Sequence, residues 1–243
     1  MDRTILQRLP KVVLHDHLDG GLRPGTVLEL AREQGYEGLP ADDEASLARW
    51  FFQAESATLV RYLEAFGQTL AVMQTAAAIE RVAYEAVVDL AADGAVYAEL
   101  RFGPMLHLRQ GLTPEQVMDA MLAGCAAGRR RAGIPVFVIA CALRQEDDSV
   151  AVAELARSYR GRGVVGFDLA GPEAGFPASL HRPACRAARA GGLTSASGSC
   201  QDRQPPCRGF ETANEASSCE TPRPRPAGDG RDAARCPSRR TFS

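Results

Sequence analysis

The chain has 243 residues and a mass of 26.0 kDa, which suits one large domain or two small ones. Hydrophobic residues make up 45%, charged residues 24%, and the formal net charge is −2, so nothing pulls the chain generally towards nucleic acid or an anionic membrane. The run 136–143 is too short to cross a bilayer and no apolar segment opens the chain, so a membrane protein, a secreted disulfide scaffold and a nucleic-acid clamp are not expected, and a cytoplasmic protein is.

In chain order, 11–14 is a short β-branched run that ends in His15-Asp16-His17, the pattern of a strand leaving the core. Pro24-Gly25-Thr26 opens a helix that Gly35 stops. Leu59, Tyr62, Leu63, Phe66 and Leu70 form one apolar helical stripe. A helix over 76–92 closes at Asp93-Gly94 and is followed by a strand over 96–102. Thr113-Pro114-Glu115-Gln116 is a helix start, with Thr as N-cap, Pro at the first position and Gln completing a capping box, and that helix runs to about Arg131. A strand over 134–143, a helix over 148–159, a strand over 163–169 and a short helix over 182–190 complete the pattern.

Strands alternating with helices imply parallel βαβ units, in either a doubly wound sheet or a (β/α)8 barrel. Both gather their chemistry at strand ends. The polar residues do sit there: His15 and His17, Glu99 and Arg101, Asp168. No G-x-G-x-x-G follows the first strand, which weighs against a dinucleotide fold. Four strands are too few to close a barrel. His15 and His17 lie two apart on an extended strand, so both imidazoles share a face and suit zinc. A hydrogen-bonded histidine pair is the plain alternative. His107 is expected at the surface and His181 in an ordinary polar loop, neither as a ligand. Cys125 and Cys141 read as core residues. Asp19 before Gly20-Gly21 reads as a turn residue, and Glu99 with Arg101 as a structural ion pair.

Three blocks carry a resemblance: 11–21 (KVVLHDHLDGG), 97–104 (YAELRFGP) and 166–173 (GFDLAGPE). With them the chain, over about residues 5–193, resembles the adenosine deaminase family of metal-dependent amidohydrolases. The resemblance implies an α/β fold: an incomplete (β/α)8 TIM-type barrel with helices inserted after the first strand. It further implies zinc and the hydrolytic deamination of adenosine or deoxyadenosine to inosine in purine salvage. Residue by residue, it makes His15 and His17 the first two zinc ligands. His17 and Asp19 also touch the substrate, Asp19 at the ribose 5′-hydroxyl, and the Gly171 backbone N–H meets the purine ring. Leu59, Tyr62, Leu63 and Phe66 could gate the site, but core packing is the role expected of them. The family's His-Ala-Gly-Glu block, its later histidine and its Asp-Asp pair have no counterpart in this sequence, so no catalytic acid or base is assigned. The H-x-E…P-C-x-x-C site of cytidine deaminases is absent too.

Residues 194–243 differ in kind from 1–193. Phe210 and Phe242 are their only large apolar side chains, while they hold six of 15 prolines and four of seven cysteines. Such a segment cannot offset the entropy of ordering its backbone, so it is expected to be disordered. Cys200, Cys207, Cys219 and Cys236 lack zinc-site spacing and read as unpaired thiols. Codon degeneracy over 193–197 permits His-Val-Ser-Ile in another frame, which would make the tail the product of a frameshift. The expected function is therefore that of an adenosine deaminase-like zinc hydrolase, inactive as this chain. The alternatives are a non-catalytic zinc- and nucleoside-binding fragment or decayed gene product, and a deaminase of adenine or another purine. Asp19 favours a nucleoside, since it has a ribose hydroxyl to serve. The partner expected is a purine nucleoside, with no nucleic acid and no membrane.

Overall fold

The computed structural model describes residues 3–52 and 59–197. Their elements run α1 (Arg3–Arg8), β1 (Lys11–His17), α2 (Pro24–Gln34), α3 (Glu44–Phe51), α4 (Leu59–Val72), α5 (Ala76–Ala92), β2 (Ala95–Phe102), α6 (Pro114–Ala132), β3 (Val136–Leu143), α7 (Ser149–Ser158), β4 (Val164–Ala170), α8 (Arg182–Ala190) and β5 (Thr194–Ser197). Local signals set most of these boundaries. Gly35 and Gly133 end α2 and α6 in the left-handed region, at φ 65° and 76°, which glycine adopts without a Cβ penalty. Thr113 accepts from the Gln116 N–H while the Gln116 side chain accepts from the Thr113 N–H, so the capping box forms as its spacing dictates. Asp43 caps α3 in the same way through the Ser46 N–H, a start signal that the sequence reading passed over.

The five strands are parallel, in the order β1-β2-β3-β4-β5. That order decides between the two architectures. A doubly wound sheet reverses direction at a switch point. Here every strand adds on the same side of its predecessor, and right-handed crossovers then put all the helices on one face, as in a barrel wall. Helices α2, α3, α4 and α5 form the insertion between β1 and β2. A short fifth strand follows Leu193: Thr194–Ser197 pair in register with Gly166–Leu169 of β4. The rest of the tail, with its four cysteines, lies outside the described residues.

The helix-covered face of the sheet is the core. Ala98, Leu100 and Phe102 of β2, Val138 and Ala140 of β3, and Phe167 and Leu169 of β4 are all buried there. Helices α5 and α6 meet where α6 carries glycine. A Cβ on Gly124 would lie 2.2 Å from the Glu80 carbonyl oxygen, and one on Gly128 2.6 Å from the Val87 Cβ, so only glycine permits this approach. No described helix is long and apolar enough to cross a membrane.

The register of β1 against β2 contains the feature that matters most for the site. Val13 pairs with Ala98 and Asp16 with Leu100, so Leu14 and His15 together face Glu99, a β-bulge. In an unbroken strand His17 would share a face with Val13, the helix side. The extra residue flips the phase, and His17 instead pairs with Arg101 on the opposite, concave face.

Candidate active site

The C-terminal ends of β1 to β4 bring His15, His17, Asp19, Arg101, Cys141 and Asp168 into one neighbourhood. His15 Nε2 and His17 Nε2 are 3.1 Å apart, with ring centroids at 5.0 Å and planes inclined by 48°. Burial lowers the pKa of both imidazoles, and the Arg101 guanidinium lowers them further. His17, which also feels His15, is brought to about 4. Both rings are therefore neutral at pH 7, the form that ligates metals.

Asp19 follows in the 3-10 turn after β1 and is buried. Its Oδ2 accepts from the Gly103 N–H at 3.0 Å, and the Thr69 hydroxyl donates to its carbonyl. Its Oδ1 lies 3.9 Å from His17 Nδ1 and has no hydrogen-bond partner among the described residues. Because His17 is neutral, that contact is not an ion pair. Burial pushes the Asp19 carboxyl up to about 6, opposed by the Gly103 N–H. The turn reading of Asp19 holds for its backbone, while its side chain ties the β1 end to the β2 end. Phe66 of α4 covers this turn. Its ring stands edge-on to His17, 6.3 Å between centroids, and a Cβ on Gly20 would lie 2.4 Å from it. Of the four residues suggested as a gate, Phe66 is thus at the site, and the side chains of Leu59, Tyr62 and Leu63 lie outside the described residues.

Arg101 does not pair with Glu99, as the sequence suggested. Its Nη1 donates to Asp168 Oδ2 across the sheet, and its Nη2 donates to the Leu14 carbonyl at 3.3 Å. Glu99 accepts from the Tyr97 hydroxyl at 2.7 Å instead. The physical reason is reach: neighbouring side chains on one strand splay, whereas Asp168 lies across the concave face two strands away. Asp168 is 1% exposed, and burial raises its pKa against the pull of Arg101. Cys141, expected in apolar surroundings, is buried with its Sγ 3.9 Å from Asp168 Oδ2, and burial followed by that carboxylate raises its thiol pKa well above the ordinary value. Cys125 is a core residue as expected.

His107 is fully buried rather than at the surface. Its Nδ1 meets the Met73 carbonyl at 2.9 Å, its ring stacks near Phe102, and burial lowers its pKa to about 4. Its place in a 3-10 turn directly after β2 folds it under the sheet end, which Pro104 alone did not reveal. His181 is buried too, bonded to the Ser149 hydroxyl and the Arg144 carbonyl. Neither reaches the His15–His17 pair through any of these contacts. Gly171, after β4, has φ 93°, a left-handed conformation in which any side chain would be strained, and Gln145 Oε1 lies 2.5 Å from where its Cβ would be. Glu173 pairs with Arg144 at 3.2 Å.

The donor set can be tested against zinc. Two nitrogens at about 2.05 Å from a tetrahedral ion stand roughly 3.3 Å apart. The observed 3.1 Å between neutral imidazoles on one bulged strand fits such a pair with little movement. A catalytic zinc needs three protein ligands, and among the described residues no group of three His, Cys, Asp or Glu side chains could hold a metal.

The adenosine deaminase family model matches residues 10–199. The chain belongs to the adenosine deaminase family. It is 56% identical over 187 residues to an adenosine deaminase of Mycobacteroides abscessus, covering 74% of this chain and 52% of that protein. Among solved structures, an amidohydrolase of Burkholderia ambifaria with bound zinc matches with TM-score 0.71 and 27% identity, over 80% of this chain and 53% of that one. An N6-methyl-AMP deaminase of Arabidopsis matches with TM-score 0.69 and 28% identity, over 81% and 60%. The chain spans about half the length of the curated relatives that it matches. The family match, like β5, extends beyond Leu193.

Proposed function

We propose that this chain is the metal- and ribose-binding portion of a zinc-dependent adenosine deaminase, without turnover on its own. The observation that carries the reading is the His15–His17 pair, 3.1 Å apart and brought by the bulge to the concave face at the strand ends. His15 and His17 would hold the ion, and zinc when bound would supply the Lewis acidity that activates a water for attack on the reacting carbon. The chain's own residues supply recognition. Asp19 offers an oxygen with no partner, buried beside His17, which can accept from a ribose hydroxyl. That acceptor favours a nucleoside over a free base. Gly171, without a side chain at a strand end, lets a flat ring approach the backbone. Such contacts hold ground state and transition state alike and do not lower the barrier.

The deamination step also requires a group that protonates the ring nitrogen, and loss of one general acid costs ~10²–10⁴-fold. Of the carboxyls at the site, Asp168 pairs with Arg101, and Asp19 accepts from the Gly103 N–H with one oxygen while the other is assigned to the ribose. The test follows the absorbance change from adenosine to inosine, with purified chain and excess zinc beside a His15→Ala/His17→Ala control. No turnover above that control is expected. Turnover that disappears in the control would overturn the inactivity and point to an acid–base pair within these 243 residues.

A further inference from the structure

A β-bulge interrupts the β1–β2 ladder at Leu14 and His15, and one side chain reaches the backbone there. Leu14 and His15 together oppose Glu99, so the Leu14 carbonyl sits where the ladder is broken. Arg101 Nη2 donates to it at 3.3 Å. The same guanidinium is anchored from the far side, because its Nη1 donates to the buried Asp168. Arg101 also pairs in register with His17, so its backbone fixes one end of the bulge and its side chain the middle.

We infer that Arg101 is the positioning residue of the histidine pair: its fork, held by Asp168, clamps the Leu14 carbonyl and so keeps the bulge that turns His15 and His17 to the concave face. A bulge is a local choice between two registers. With a regular ladder His17 would lie on the same face as Val13, against the helices. A buried imidazole there would need a partner that an apolar core does not offer, so the bulged register wins as long as its freed carbonyl is bonded. Only a planar fork reaches Asp168 and Leu14 at once. A lysine ammonium can keep the Asp168 pair but offers no second, geometrically fixed donor to Leu14. The role differs from that of Arg144, which is equally buried but pairs with Glu173, beyond the end of β4.

The inference rests on the metal-site reading for its purpose, but its test does not need the metal. In the full chain without metal, the ring C–H signals of His15 and His17 are assigned by NMR through His15→Ala and His17→Ala. Each ring lies 5.0 Å from the other, so removing His15 shifts the His17 signal. In Arg101→Lys that mutual shift is expected to vanish, with far-UV dichroism unchanged, while Arg144→Lys keeps it. Zinc affinity, read by competition with a chromophoric chelator, should fall about tenfold or more in Arg101→Lys and stay unchanged in Arg144→Lys. An undiminished mutual shift in Arg101→Lys, or an equal loss in Arg144→Lys, would overturn the inference. Arg101→Met serves as a second variant, and if it stays folded with the shift intact the inference also fails. If the wild-type chain holds no zinc at His15 and His17, the metal reading fails by itself and the ring signals still decide the role of Arg101.

Discussion

The two faces of the sheet follow different rules. The helix-covered face is made of residues such as Ala98, Leu100, Phe102, Val138 and Phe167, all buried in one cluster. On the concave face sit His15, His17, Glu99, Arg101 and Asp168, and at the β1 edge Val12 and Leu14 are 60% and 53% exposed. The first face supplies stability by removing apolar area from water. The second is held by a few directional bonds, Arg101 to Asp168 and Leu14, Asp19 to Gly103. The same strands thus separate folding from chemistry by alternation, and one bulged residue decides on which side the histidines fall.

The largest contrast should come from truncating one side chain on each face. Phe102→Ala, on the helix side, is expected to cost about 3–5 kcal/mol in urea unfolding. Leu14→Ala, exposed on the other side, should stay within about 0.5 kcal/mol. Equal losses would mean that the concave face is packed in solution.

Next comes acid. His107 belongs to the helix side, and its imidazole is held neutral, with a pKa of about 4 against an ordinary 6.5. Its stability contribution is therefore complete above pH 6.5 and is lost as the pH falls towards 4, because the unfolded chain takes up a proton there and the folded chain does not. The loss is at most about 3 kcal/mol. Measured as urea midpoints between pH 7 and 4.5, the slope should flatten in His107→Gln. An unchanged slope would place the acid sensitivity elsewhere, with the carboxyls of the concave face the next to test.

A smaller effect should come from the helix layer alone. Thr113→Ala removes the acceptor for the Gln116 N–H and should cost about 1 kcal/mol, read as a lowered thermal midpoint. Zinc should raise the midpoints of the wild type and of Thr113→Ala by the same increment, because binding stabilises the folded chain by mass action. A larger increment in the variant would couple the α6 cap to the histidine pair.

Most of the helix layer was legible in the sequence because its signals are local. Pro24 and Gly35 bound α2, the Thr113 box opens α6, and alternation of strands and helices gave the α/β class. The site was legible in part. H-x-H showed that the two imidazoles share a face, but not which one, because a bulge depends on the register of two strands 84 residues apart and leaves no mark in either alone. The partner of Arg101 was missed for the same reason: Asp168 is 67 residues away and meets it only through the sheet. Nothing local marks His107 as buried, because burial under a sheet end is a tertiary property. The strand at 194–197 was missed because Thr-Ser-Ala-Ser carries no apolar signal, and its place is set by backbone bonds to β4.

The measurement that tests the account most directly is equilibrium dialysis of zinc against the full chain, beside His15→Ala/His17→Ala. Two imidazoles supply two-thirds of a catalytic ligand set. One weakly and reversibly held zinc per chain is expected, lost in the double variant. One tightly held zinc that survives replacement of both histidines would contradict it, and would move the metal centre away from the end of β1.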